Sequence, residues 1–478
     1  MAPDHRVRVA APPLAALALA AALSACGGTL YDAAGVPVVT TSGPPCIAPS
    51  HVCGGQCVAQ SPAACGSGCS ACAGATGATA TCDEVSAGTF SCGYTCPEGQ
   101  LACPSGCCHP TAVAAGAAHA CAVTDAQSLV CWGLNDRGQV GPAGGGAAVP
   151  RPVQVFPDGV TAVSAGAHHT CAVRAGAVTC WGANDGGQLG TGSAGSGGPT
   201  PVAAGLSGVA ALALGTAHSC ALTSGGTIRC WGANASGQLG AGDTAPRVGQ
   251  KSTPVGSGAS LLAGGGDTSC AVAGGGPICW GADARGQSGA GPGGATRPPR
   301  STPGAVAGVP AGTPVSLAVG GLHACASYGG AIGLWCWGAD DAAQLGAGAI
   351  GPDALSAIQA SKVDNKARSV AVAAGGGHTC SAKDAVELTC AGRNDQQQGG
   401  APSPDPLLEG PPISLGGNLV VAGGPASAWA AGGDFTCALV DVAGAVGVKC
   451  WGGNGSGQLG RGTAGGAAAV AEYVSSKR

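Results

Sequence analysis

Residues 171–190 read CAVRAGAVTCWGANDGGQLG, and this unit of paired cysteines, Trp-Gly and Gly-Gln-Leu-Gly recurs along the chain. Aligned on the second cysteine, the copies fall at Cys131, Cys180, Cys230, Cys279, Cys336, Cys390 and Cys450, with upstream partners Cys121, Cys171, Cys220, Cys270, Cys325, Cys380 and Cys437. Glycine follows two residues after each second cysteine, and glutamine eight after, from Gln139 to Gln458. Trp occupies the first position in every copy except the sixth, where Ala391 stands. The fourth position is Asn, or Asp at Asp283 and Asp340. First cysteines lie 49 to 57 residues apart, the spacing of propeller blades and solenoid units.

Within residues 160–181 three short runs alternate or are β-branched, Val160 to Ala165, His169 to Val173 and Ala177 to Trp181, and Ala175-Gly176 separates the last two. A two-residue turn there pairs Cys171 directly with Cys180. The pair is non-hydrogen-bonded, with Cα atoms about 4.5 Å apart, inside the disulfide range. Copies with longer cysteine separations need longer hairpin loops. Trp181, next to Cys180, points to the opposite face of its strand, so cystine and tryptophan pack against the two neighbouring sheets. Seven sheets arranged radially make an all-β, seven-bladed propeller that leaves only short edges. The run from Ala467 to Val474 is expected to pair with the first blade and close the ring, since no such run precedes Thr111.

The string GAHHTCAVRAGAVTCWGANDGGQLGTG, residues 166–192, resembles the repeat of the regulator of chromosome condensation family. The resemblance covers roughly residues 111–478 and implies the same seven-bladed propeller. Paired cysteines are similar to those of extracellular members. For the nuclear members the resemblance implies guanine-nucleotide exchange on a small GTPase, but no counterpart of their interaction residues is present to carry over.

Arg6 and Arg8 precede an apolar run from Leu14 to Leu23, the pattern of a secretory leader. The run is shorter than the ~20 residues a membrane span needs and follows Pro12-Pro13. Leu23-Ser24-Ala25-Cys26 resembles the bacterial lipobox, which implies removal of residues 1–25 and lipid on Cys26. The Gly27-Gly28 that follows implies the outer membrane. Of 27 cysteines, 14 belong to the repeats and 12 lie between Cys46 and Cys108. Such a number suits an oxidising, extracytoplasmic compartment. Each hairpin disulfide closes a short loop, worth about 2–3 kcal/mol in the chain-entropy account, which offsets part of the folding entropy of 91 glycines.

Residues 26–45 read as a lipidated tether, 46–110 as a disulfide-rich module too poor in large apolar side chains to build a core, and 111–478 as the propeller. Zinc competes for Cys69-Ser70-Ala71-Cys72, but a second CxxC at ribbon spacing is lacking. No cofactor is expected. Without the leader's charges the chain carries 18 basic and 23 acidic residues with no basic stripe, which argues against nucleic acid. It has no phosphate-binding P-loop motif either.

His119, His169, His218, His323 and His378 stand two residues before the first cysteine; Thr268 and Phe435 replace them in the fourth and seventh copies. A histidine ring could hold a metal, but a strand-end histidine bonding a carbonyl in each blade explains the repetition better. The repeated Asn and Gln read as caps for turn backbones. Blades differ most in the long segments 241–258, 291–314, 347–369 and 401–428. Arg297, Arg300, Lys362, Lys366, Arg368 and Trp429 are their least generic side chains and the candidate binding residues. No catalytic set stands out. The reading is a monomeric surface propeller, held to the membrane only by its lipid, that binds a protein or surface polymer. The alternatives are a GTPase regulator and a hydrolase or lyase working on a propeller face.

Overall fold

The computed structural model describes residues 96–475 apart from 104–105, 144–145, 253–257, 293–296, 330–331, 365–368, 384–386, 403–404, 406–412 and 421–427; before residue 96 it describes only the backbone of short strands. The chain divides into compact units at residues 1–95 and 96–477. In the first, Thr79–Ser86 pairs with Thr89–Thr95 in a register that sets Cys82 opposite Cys92. Cys26 and the Cys69–Cys72 motif lie outside the described residues.

The second unit is a seven-bladed propeller. Blade 2 shows the pattern: an inner strand Val160–Ala165, then His169–Arg174, Ala177–Asn184 and an outer strand Gly195–Ser207, each antiparallel to the next. The turn expected at Ala175-Gly176 is present, with φ of 49° and 77° at its two residues and Arg174 opposite Ala177. In every blade the two cysteines are direct cross-strand partners. The seven disulfides have Cα–Cα distances of 4.0–4.1 Å. Longer cysteine separations leave this register intact. Blade 7, with a separation of 13, lengthens its hairpin until Val442 faces Ala445.

Trp and cystine occupy opposite faces, as the alternation of a strand requires, and meet between blades. Cys171 and Cys180 share a buried cluster with Trp231 of blade 3, Cys220 and Cys230 with Trp280 of blade 4, and Cys437 and Cys450 with Trp132 of blade 1. Each indole Nε1 also donates to the backbone carbonyl of the preceding blade's repeat Gln, at 2.7–3.1 Å, as Trp231 does to Gln188 and Trp132 to Gln458. Blade 6 lacks its tryptophan, and the cluster around Cys325 and Cys336 instead takes in Ala360 and Val363, the latter from the short helix Ser361–Asp364. A Cβ built on Gly346 would lie 2.3 Å from Val363, where the equivalent Gly190 and Gly240 abut Trp231 and Trp280. The 347–369 segment therefore supplies packing that the repeat omits.

Ring closure differs from the sequence expectation. Ala148–Phe156 already completes blade 1, so Ala467–Tyr473 pairs with Ala445–Gly453 as the outer strand of blade 7. The last joint is sealed as the others are, by Trp132 and by Gly433 N donating to the carbonyls of Gly116 and Ala117 at 3.2 and 3.1 Å. Gly116 must be glycine, since a Cβ there would stand 2.3 Å from Gly166 O of the next blade.

Residues 96–110, assigned from the sequence to the cysteine-rich module, belong to the propeller unit. Disulfides Cys96–Cys107 and Cys103–Cys108 brace them, Leu101 enters the cluster of Trp132, Val448 and Val474, and His109 Nδ1 lies 3.1 Å from Val446 O. They clamp the seam between the first and last blades. Among the described residues blade 6 shows three strands and an isolated Leu388–Ile413 bridge in the outer position, and in blade 7 Asn418–Leu419 and Trp429–Ala431 share the inner place.

Burial of a large aromatic predicts the outcome of cutting it away: Trp231→Ala should cost about 3–5 kcal/mol in denaturant unfolding. Val363→Ala should cost less, about 1–3 kcal/mol, and Ala391→Trp should also destabilise, because Val363 occupies the slot.

Candidate functional site

The repeated polar residues come first, because they recur in every blade. Each repeat Gln Oε1 accepts the backbone N–H two residues before it, from Arg137 to Ser456, at 2.8–2.9 Å. Each Asn or Asp at the fourth position accepts the N–H five residues on, as in Val140 to Asn135 and Leu189 to Asn184. They cap turns, as their sequence positions suggested.

The histidines do not bond carbonyls. Each sends Nε2 to a hydroxyl on the next blade, His119 to Thr170, His169 to Ser219, His218 to Ser269, His323 to Thr379 and His378 to Thr436, at 2.8–2.9 Å. Those hydroxyls in turn donate to repeat Gln carbonyls at 2.7–3.1 Å; four of these carbonyls also receive an indole, and the fifth, Gln344 O, takes Thr379 where Ala391 replaces the tryptophan. The hydroxyl proton is thus committed, so each histidine must donate from Nε2. Each imidazole is neutral, and burial lowers its pKa to about 3 at His119, His169 and His378 and to about 4 at His218 and His323. The rings are fully buried and point at neighbouring blades. Among the described residues no group of three or more potential metal ligands gathers. Where the histidine is missing, the hydroxyl at its partner position is missing too: the blade after Thr268 has Ala324 there, and the blade after Phe435 has Ala120, which shares a buried cluster with it. That joint absence was the signal in the sequence for this contact.

Two cavities follow one another along the axis. The wider, about 370 Å³, is lined by inner-strand residues including Val113, Leu261, Val315 and Trp429. The narrower, about 220 Å³, is ringed by Gly116, Gly166, Gly215, Gly265, Gly320, Gly375 and Gly432 and their neighbours. No charged side chain lines either among the described residues.

Charge gathers instead on the turns around the narrower cavity, just before the second strand and just after the third. Asp136, Asp185, Asp267, Asp341, Asp395 and Asp434 stand there with Arg137, Arg285, Arg393 and His168. Burial pushes Asp136 upward, but the Gln139 amide and His168 outweigh it and hold the carboxylate below its usual range. The Gln344 amide, against burial and helped by Arg285, does the same for Asp341. Burial raises Asp267, and raises Asp434 with Asp395 adding. This end is acidic and presents acceptors to a cationic partner.

The candidate binding residues that the structure describes are each engaged locally. Arg297 Nη2 meets Asp283 Oδ2 at 2.6 Å while Nε and Nη1 donate to the carbonyls of Asp283 and Gly291; it clamps its own loop. Arg300 donates to Ala305 O at 3.1 Å within its strand. Lys362 lays its stem against Gly348, and Trp429 is buried beside the wider cavity. Lys366 and Arg368 lie outside the described residues. The long segments also contain the outer strands Arg247–Ser252, Arg300–Ala305 and Ala354–Gln359.

Residues 111–139 and 209–238 match one family model, and residues 128–173 a second, both described as the regulator of chromosome condensation (RCC1) repeat. The chain carries RCC1 repeats. Human WBSCR16 is similar in structure, with 21% identity and a TM-score of 0.59 over 70% of this chain and 87% of that one. Yeast RCC1 (Prp20), solved with Kap60 bound to it, gives 20% identity and a TM-score of 0.60 over 76% and 84%. At this identity the RCC1 likeness establishes a common fold. No protein of curated function matches the sequence.

Ser269→Ala should destabilise by about 1–3 kcal/mol, because it strands the buried His218 donor. Adding His218→Thr recreates the joint at Thr268 and Ala324 and should recover part of that loss in a double-mutant cycle. With folded pKa values depressed below the unfolded 6.5, the histidines stabilise above pH 6.5. Stability is lost as pH falls from there toward 4, and thermal unfolding from pH 7.5 to 4.5 should show the decline.

Proposed function

We propose that this chain is an exported propeller, anchored by lipid on Cys26, that binds a protein partner carrying a basic segment through the acidic end of the ring. The observation that carries the reading is the division of labour among side chains. Cys, Trp, His, Ser/Thr, Asn and Gln of the repeat are spent on joints and turns, whereas the charges around the narrower cavity change from blade to blade and are largely exposed. Export is supported by nine disulfides among the described residues and by the leader that ends at Cys26. Among the described residues no helix is long and apolar enough to cross a membrane. A hydrophobic cavity mouth rimmed by carboxylates steers a cationic partner electrostatically, so association should weaken with salt.

The test is capture from envelope extracts with the full chain and with a variant in which Asp136, Asp395 and Asp434 are changed to Asn. Captured partner should fall at least tenfold and elute at raised salt, while Asp125→Asn with Asp158→Asn at the opposite end should capture normally. Equal capture by both variants would overturn the reading. Shortening the long segments is a poorer test, because it removes outer strands.

A further inference from the structure

The innermost strand of each blade is hydrogen-bonded along one edge only. In blade 2 Gly166 N donates to His169 O at 2.9 Å, so the two-residue period of an antiparallel ladder also turns the N–H and C=O of Ser164 and Ala162 toward the second strand. The peptide groups of Ala165 and Val163 then face the axis. The same bond at Gly116 and Gly215, 2.8 and 3.0 Å to the carbonyls of His119 and His218, does this for Ala115 and Val113 and for Leu214 and Leu212. All six residues line the wider cavity. Among the described residues no hydrogen bond engages their axis-facing N–H and C=O groups.

Blade 6 shows what such a group does when a partner is at hand. Val372 N, the equivalent of Val163 N, donates to Ser316 Oγ of blade 5 at 3.2 Å. The other edges must find their donors and acceptors in whatever fills the bore, because a peptide group withheld from hydrogen bonding costs free energy. Along an inner strand the axis-facing groups recur at every second residue, about 6.6 Å apart. An extended peptide carries matching groups at the same repeat, which is why open strand edges take up further strands. From Val113 to Ala117 the bore is about 13 Å long at the rise of a strand, enough for about four extended residues. Its narrow mouth is set by Ala117, Ala167, Thr216 and glycines, with nothing larger than the threonine.

We propose that the bore receives the tip of the partner's basic segment as an extended strand, whose backbone pairs with the open inner edge of a blade. This deepens the reading of an acidic end that takes a basic segment, and it rests on that reading. The chemistry divides by depth. Cationic side chains stay at the mouth, where Asp136, Asp395 and Asp434 stand on the surrounding turns. About four uncharged residues with small or β-branched side chains enter, since no charged side chain in the described walls would offset a buried charge. Main-chain hydrogen bonds hold the tip whatever its exact sequence, while the rim demands positive charge.

The test titrates the full chain by calorimetry at low salt with the probe Ac-Val-Thr-Val-Thr-Lys-Lys-NH2. Beside it runs a twin in which esters replace the amide links of the tip, removing N–H donors at unchanged charge. The amide probe should bind with one site per chain, and the ester twin about tenfold more weakly, the loss expected of two hydrogen bonds. Ala117→Phe combined with Thr216→Phe places bulk at exposed positions of the narrow mouth. This plugged variant should keep the wild-type Tm and bind the amide probe no better than wild type binds the ester twin. Equal affinities for the two probes, equal binding by wild type and the plugged variant, or no binding of the amide probe would overturn the proposal. Failure of the acidic-end reading shows separately, as amide-probe affinity that survives changing Asp136, Asp395 and Asp434 to Asn.

Discussion

One carbonyl per joint organises this propeller. The backbone oxygen of each repeat Gln accepts the indole of the following blade at most joints and the hydroxyl of that blade at most, and behind the indole lies the cystine of the first blade. Sheets of Ala, Gly and Val expose little apolar surface per residue. A buried tryptophan and a buried disulfide at each interface concentrate the burial that a glycine-rich chain otherwise lacks. Every departure from the pattern is met by a compensation in the same joint: Val363 where Ala391 replaces the indole, and Ala324 and Ala120 where the histidine is gone.

Much of this was legible from residue spacing. Two-residue periodicity sets Cys180 and Trp181 on opposite faces, and a two-residue turn sets Cys171 against Cys180, so the interblade contact follows from strand geometry. The seam between blades 7 and 1 was not legible, because Ala467–Tyr473 and Ala148–Phe156 have similar character and pairing depends on which third strand each can reach. Nor was the clamp at residues 96–110, since cysteine content alone assigned it to the upstream module. Val363 was hidden because a plug is recognisable only by the hole it fills. The long segments looked like free loops because outer strands in a propeller are half exposed and carry weak patterns, as the Gly-rich Gly195–Ser207 illustrates.

The candidate site shows the complementary lesson. Searching for unusual residues in insertions found Arg297 and Arg300, whose charges are consumed at home. The exposed charges at Asp136, Asp185 and Asp395 sit inside the repeat, one residue after its Asn, where regularity concealed their variation. Asp283 and Asp340 were visible as exceptions to Asn, but their meaning required knowing that the amide donates to one or two carbonyls of the loop that follows.

If the joints are the fold, the disulfides within them should be protected together. The most direct measurement exposes the native chain to increasing dithiothreitol, traps free thiols by alkylation, and counts them per blade by mass spectrometry while near-ultraviolet circular dichroism follows the buried tryptophans. The account predicts that the blade cysteines, each at most 1% exposed, become labelled as the tryptophan signal is lost. Progressive labelling of blade cystines under an unchanged tryptophan signal would contradict it.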